Sequence, residues 1–334
     1  MAESQPTTTS NQGNSPRDNR DDNDNDDDDE DFAGLFVNED YRETIVNVPG
    51  HAPLRVLSSH AASTDFDLTG QIVWPCGEAL CHFMAHHSEL LQSDHQGVRV
   101  VELGAGCGLS GLFVARQCPA NSLVVLTDGI DLVCRLLEDN VLRSNECDER
   151  QAGVRVVAHK LDWGSLEDTT RVLRELDHNG PLQQHHKRHY DLVIAADVVQ
   201  WPEYLPGLLQ TARRLLKPLE DDTERAKIEA VAAAATPAFK VGTSTVIEHM
   251  LEPRYHTSNT ASELLRRPQV PKFLVCYMAR CQLVERWFLH FAAVYGFTMG
   301  FVDMQPLLPL DRPIFASLQT PDAPKIKLAV LTLD

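Results

Sequence analysis

The stretch "VRVVELGAGCGLSG", residues 98–111, holds two overlapping glycine patterns. Gly104, Gly106 and Gly108 spell G-x-G-x-G, which suits a loop cradling an adenosyl sulfonium group. Gly106, Gly108 and Gly111 spell G-x-G-x-x-G, which suits a dinucleotide pyrophosphate. The glycines follow an apolar run and precede a helical period, the placement that a nucleotide-binding loop needs. On their own they do not choose between the two cofactors.

Outward from this loop, short apolar runs alternate with helical periods, the pattern of an α/β fold with a mainly parallel sheet. The runs predict strands at 98–103, 123–127, 154–159, 192–196, 272–278, 297–302 and 327–333. Helices are predicted near 109–118, 131–144, 166–177, 203–217 and 283–295. "VWPCGEALCHFMAHHSELLQ" reads as an amphipathic helix with Pro75 in its first turn. Upstream, "YRETIVNV" and "LRVLSS" flank the turn-rich "PGHAP" and predict an N-terminal β-hairpin. Strands six and seven are separated by a proline-rich segment without helical pattern, so an antiparallel C-terminal hairpin is expected at one sheet edge.

Charge is unevenly spread. Residues 1–31 hold 11 of the 48 acidic residues and 2 of the 30 basic ones, half of the net −18. Without apolar periodicity, residues 1–38 are expected to form a disordered acidic tail. Residues 39–334 would then be the folded domain, with an insertion at about 218–271, too long for an ordinary helix-to-strand connection. The acidity argues against a nucleic-acid partner. No apolar run approaches the ~20 residues of a membrane span, and the polar, acidic start is unlike a signal peptide. The eight cysteines form no C-x-x-C pair, and reduced thiols are expected. No metal site is expected: His82 and His86 have helical i, i+4 spacing, but Phe83 stands where H-E-x-x-H needs its acid. "HHKRHY" at 185–190 reads as a solvated loop.

Two features separate the cofactors. Glu102, just before the glycines, would repel a pyrophosphate and favour a sulfonium. Asp128, ending the next strand in "VVLTD", suits ribose hydroxyls in either case. The second feature is an ordered set of segments: "GQIVWPCGEAL", "VELGAGCGLSGL", "VVLTD", Asn140 and Asn145, "LDWG", "YDLVIAADVV" and "YMAR". On these the chain resembles methyltransferase family 16, the seven-β-strand protein-lysine methyltransferases, from about residue 41 to 334 apart from the insertion.

The resemblance implies a Rossmann-like class I methyltransferase fold and S-adenosyl-L-methionine as cofactor. It implies that Gly104, Ala105 and Gly106 line the methionine and ribose part, with Asp128 on the ribose. Trp163 would contact the adenine end, Trp74 would close over the cofactor, and Ala196 would lie beside the methyl group. Asp197, at the carboxyl end of a central strand, is the expected catalytic acid. Arg280 matches the family's arginine after strand five, expected to order nearby loops. The family's D-x-x-Y is here "DVVQ": Gln200 replaces the tyrosine, and Trp201 or Tyr204 is expected to supply the aromatic wall.

The expected activity is methylation of a lysine side chain on an intracellular protein by a monomer in the cytoplasm, with the nucleus as a second location. The alternatives are transfer to arginine, histidine or a small molecule, a cofactor-binding interaction protein with weak or no catalysis, and an NAD-dependent oxidoreductase.

Overall fold

The computed structural model describes residues 41–59, 66–92, 97–146, 153–178, 189–217, 226, 230, 259–267, 270–320 and 325–333. The expected acidic tail, His185 and His186, and most of the 218–271 segment lie outside them.

A hairpin of β1 (Tyr41–Val46) and β2 (Leu54–Ser59) precedes a seven-stranded sheet. The sheet strands are β3 (Arg99–Leu103), β4 (Leu123–Asp128), β5 (Arg155–Lys160), β6 (Leu192–Ala196), β7 (Lys272–Met278), β8 (Phe297–Asp303) and β9 (Ile326–Leu333). Their order is β5-β4-β3-β6-β7-β9-β8, parallel except for β9, which runs antiparallel to both neighbours. Counted within the sheet this is 3-2-1-4-5-7-6, whereas a dinucleotide-binding Rossmann sheet runs 3-2-1-4-5-6. The inserted antiparallel strand makes this the class I methyltransferase fold. The C-terminal hairpin is present as expected, but its last strand lies inside the sheet and β8 forms the edge. All of β9 except Lys327 and Leu333 is buried, "IKLAVLTL" being too apolar for an open edge.

Alternation along the strands builds one core on each face. Val100, Val124, Ile194, Leu274 and Leu328 point to one side. There they meet α1 (Pro75–His86), α2 (Leu109–Gln117) and α3 (Asp131–Glu146). Val101, Val125, Val193, Val275 and Ala329 point to the other. They meet α4 (Leu166–Arg174), α5 (Leu205–Leu216) and α7 (Gln282–Val294).

Three elements depart from the sequence reading. The helix expected from residue 73 onward stops at His86, because His87 leaves helical geometry while its N–H still reaches the Phe83 and Met84 carbonyls. A separate 3-10 turn covers Ser88–Leu91. Inside the expected insertion, α6 (Asn259–Leu265) packs on β8 and β9 and buries Ala261 and Leu264. The proline-rich link between β8 and β9 contains a short helix, α8 (Pro313–Ser317), whose Phe315 is fully buried.

Gly111, in the first turn of α2, has no room for a side chain: a Cβ would collide with Leu126 Cδ2 and Glu102 Oε2. Gly111→Ala gains about 1 kcal/mol of helix propensity but forces overpacking that typically costs about 1–3 kcal/mol. Urea unfolding of the variant is expected to show a net loss of stability.

Candidate active site

The strand order reverses between β3 and β6, and the crevice at their carboxyl ends is where such sheets bind ligands. A cavity of about 340 Å³ opens there, within the range of small-molecule sites. The expected cofactor-binding and catalytic residues, Trp74, Gly104, Ala105, Gly106, Asp128, Trp163, Ala196 and Asp197, line this one cavity.

The glycine loop is shaped by close approaches. Gly104 has φ +66, and a Cβ there would lie 2.9 Å from both the Trp163 ring and Val198. At Gly106, φ +55, a Cβ would lie 2.7 Å from the Gly70 carbonyl oxygen. Only glycine combines this left-handed backbone with these contacts. Two acids hold the loop. Asp128 Oδ2 accepts the Gly106 N–H at 3.0 Å and Oδ1 accepts the Ile130 N–H at 3.2 Å. Glu102 Oε2 accepts the Gly111 N–H at 2.8 Å, at the positive end of α2.

Both acids are buried, and burial pushes both pKa values up. Glu102 rises to about 8, with the Gly111 and Ser110 hydrogen bonds pulling against burial and the Asp128 charge adding to it. Asp162 and Asp197 complete a cavity wall with four acids and, among the described residues, no lysine or arginine. A pyrophosphate would meet Asp128 and Asp162 with no lysine or arginine of the lining to offset them; a cationic ligand would relieve the strain on the buried acids. The sheet order and this charge pattern together dispose of the dinucleotide reading of the glycines. Gly111 serves helix packing.

Asp197 is held differently. Its φ of +59 is left-handed, a conformation costing a non-glycine residue about 1–2 kcal/mol. Its N–H donates to the Cys276 carbonyl, and the Gln200 amide donates to its own carbonyl, each at 2.8 Å. The side chain is 1% exposed, and Arg280 donates to both carboxylate oxygens at 2.7 Å, a planar fork between the ends of β6 and β7. The same guanidinium lies 5.5 Å from the centroid of the Trp74 ring, a cation–π distance. Trp74 Nε1 donates to the Thr69 carbonyl at 2.8 Å. Arg280 thus joins the β6 loop to the cap of α1, which gives the expected loop-ordering arginine a specific geometry.

Gln200 stands on the cavity wall, turned back onto the Asp197 carbonyl. Trp201 and Tyr204 line the cavity and remain 38% and 41% exposed, the aromatic wall anticipated after Gln200.

Gly70, Ile72 and Asn140 fall within the segments that carried the resemblance, but no role was expected of them. Gly70 and Ile72 sit in the turn that covers the glycine loop; "TGQ" before "IVWP" was the available signal. Asn140 is buried and accepts the Leu57 N–H at 2.7 Å, while its amide donates to the Leu57 and Cys107 carbonyls at 2.9 Å. It ties the N-terminal hairpin to the glycine loop. Its helical position gave no hint of that span. Among the described residues, no cluster of three or more His, Cys, Asp or Glu could hold a metal, and no helix is long and apolar enough to cross a membrane.

Fold and cavity define a methyltransferase-type domain. The family model described as lysine methyltransferase (methyltransferase family 16) matches residues 60–223, just under half of the chain. It is 35% identical over 147 residues to the protein N-lysine methyltransferase METTL21A of Danio rerio, covering 43% of this chain and 54% of that protein. It is 29% identical over 154 residues to the calmodulin-lysine N-methyltransferase of Arabidopsis thaliana, covering 46% of this chain and 43% of that one. The chain thus spans about half the length of these curated relatives. A solved Bacillus cereus O-methyltransferase in complex with SAH aligns at a TM-score of 0.39 and 11% identity, over 79% of this chain and 83% of that one.

The Glu102 carboxyl generates a prediction with a definite sign. Its folded pKa of about 8 stands above the ordinary 4.5. From 4.5 toward 8 the unfolded chain therefore loses a proton that the folded chain keeps, and stability falls as pH rises. Glu102→Gln keeps an acceptor for Gly111 and cannot ionise. Its melting temperature is expected to rise relative to wild type across that window and to run parallel outside it. An offset independent of pH would place the Glu102 pKa near its ordinary value.

Proposed function

We propose that the chain is an S-adenosylmethionine-dependent methyltransferase that modifies a lysine side chain of a protein. The observation that carries this reading is the glycine-floored cavity with four acids in its described lining and its neighbouring guanidinium, Arg280, engaged by Asp197, at the switch point of a methyltransferase sheet. The names of the relatives support lysine and a protein substrate.

When bound, S-adenosylmethionine supplies an electrophilic methyl group on a sulfonium sulfur. Gly104, Ala105 and Gly106 would floor its methionine and ribose portion, Asp128 would offer its remaining lone pairs to the ribose, and Trp163 would face the adenine end. Asp128 favours the positive charge, Glu102 adds to it once ionised, and Trp74 closes the cavity from the cap of α1. Ala196 lies where β6 meets the cavity, beside the expected methyl position.

The acceptor lysine must arrive neutral, although its free pKa is about 10.4. Trp201 and Tyr204 take the alkyl stem out of water, and desolvation lowers the ammonium pKa. Both oxygens of the Asp197 carboxylate are engaged by Arg280. Asp197 therefore works as a positioning group that sets the β6 loop, and the proton leaves toward solvent at the exposed aromatic edge. Catalysis on this reading is alignment in a dry site. The same reading has a monomer acting in the cytoplasm, with the nucleus second. The net charge of −18 supports a protein substrate over nucleic acid.

Calorimetry tests the cofactor half. Asp128→Ala frees the Gly106 and Ile130 N–H groups, and Trp163→Ala opens the wall beside Gly104. Both are expected to weaken S-adenosylmethionine binding, Asp128→Ala by about 100-fold or more, the order of two lost charge-assisted hydrogen bonds. Unchanged affinity in both would overturn the assignment. Arg280→Ala, which leaves Asp197 buried without its partner, is expected to lower the rate of methyl transfer more than cofactor affinity. Arg280→Lys should restore only part of it, since lysine cannot make the fork.

A further inference from the structure

Exposed apolar side chains scattered singly over a surface mean little, so their distribution is what matters. Eight large ones are exposed among the described residues. Six of them, Leu166, Trp201, Tyr204, Leu283, Leu310 and Ile314, lie on segments leaving the carboxyl ends of parallel strands. Leu166 follows β5, Trp201 and Tyr204 follow β6, Leu283 follows β7, and Leu310 and Ile314 follow β8. That is the end of the sheet at which the cavity opens.

These segments touch one another. The turn Pro202–Tyr204 packs on α7, which carries Leu283. Arg280, just before α7, reaches Asp197 and Trp74. Arg312, between Leu310 and Ile314, pairs with the buried Glu78 of α1 at 2.8 Å. The apolar side chains therefore follow the rim from the aromatic wall, past the cap of α1, to the link before β9.

The charge of this rim is one-sided. Glu203 and Asp311 are exposed and have no ion pair among the described residues. The arginines beside the mouth, Arg280 and Arg312, are both neutralised by buried acids. Arg286, also exposed, lies on α7 about one turn further from the mouth.

We infer that this rim is the docking surface for the methyl-accepting protein, and that it takes a segment whose basic residues, the target included, are flanked by apolar side chains. The inference rests on the lysine methyltransferase reading above. The cavity is of small-molecule size, so the body of a protein substrate stays outside it. The rim offers apolar area to bury and acids that favour a basic segment.

The test uses the full chain, tritiated S-adenosylmethionine and a total protein extract as methyl acceptor. Leu283→Asp and Leu310→Asp alter exposed positions and are expected to leave cofactor affinity, read by calorimetry, unchanged. Label transferred by the double variant should fall about tenfold or more, and that of Glu203→Lys several-fold, as for loss of interface anchors. A synthetic lysine peptide flanked by leucines should compete for transfer, and the same peptide with serines should not. Should Leu283→Asp disturb α7, Leu310→Asp alone carries the test, because that residue stands in a loop. Transfer equal to wild type in the variants, or equal competition by both peptides, overturns the docking surface and leaves the activity standing. A wild-type chain that binds cofactor and labels nothing overturns the activity and the docking surface with it.

Discussion

The carboxyl end of β3 is a place where backbone must come closer to its neighbours than a side chain permits. Gly104 lies under Trp163 and Val198, and Gly106 lies against Gly70. The N–H of Gly106 is taken by Asp128, and that of Gly111 by Glu102. Everything around the cavity is arranged on this turn. β4 delivers Asp128 to it, the turn before α1 covers it, and Asn140 secures it to the N-terminal hairpin. The cost is two acids held out of water in one place. A bound cation would offset that cost, and selectivity for a sulfonium follows from it.

The opposite wall is built on another local cost. Asp197 keeps a left-handed backbone because its N–H, its carbonyl and both carboxylate oxygens are each engaged. Arg280 supplies the fork and also lies against Trp74, so the cofactor side and the acceptor side of the cavity share one guanidinium. Strain of this kind persists where the surroundings over-determine it. Here the surroundings come from β6, β7 and the cap of α1.

Much of this was legible in the sequence, for identifiable reasons. Strands buried on both faces write themselves as continuous apolar runs, so β3, β4 and β7 are visible as "RVVEL", "LVVLTD" and "KFLVCYM". The glycines and the acids around them announce the loop, and the cavity assembles the residues chosen from it. The position of β9 inside the sheet was not legible, because strand order depends on long-range pairing that leaves no local pattern. The helix end at His87 was hidden because "HHSELLQ" continues the helical period. The fork between Asp197 and Arg280 joins residues 83 positions apart. Only the fold brings them together.

The central claim is that this cavity serves methyl transfer to the amine of a lysine. Its most direct test is the chemical form of the transferred group. Protein labelled by the full chain with tritiated S-adenosylmethionine would be hydrolysed to amino acids and the label identified by chromatography against standards. The account predicts that the tritium co-elutes with Nε-methylated lysine. Tritium in methylarginine or methylhistidine, or none in the protein fraction, would contradict it.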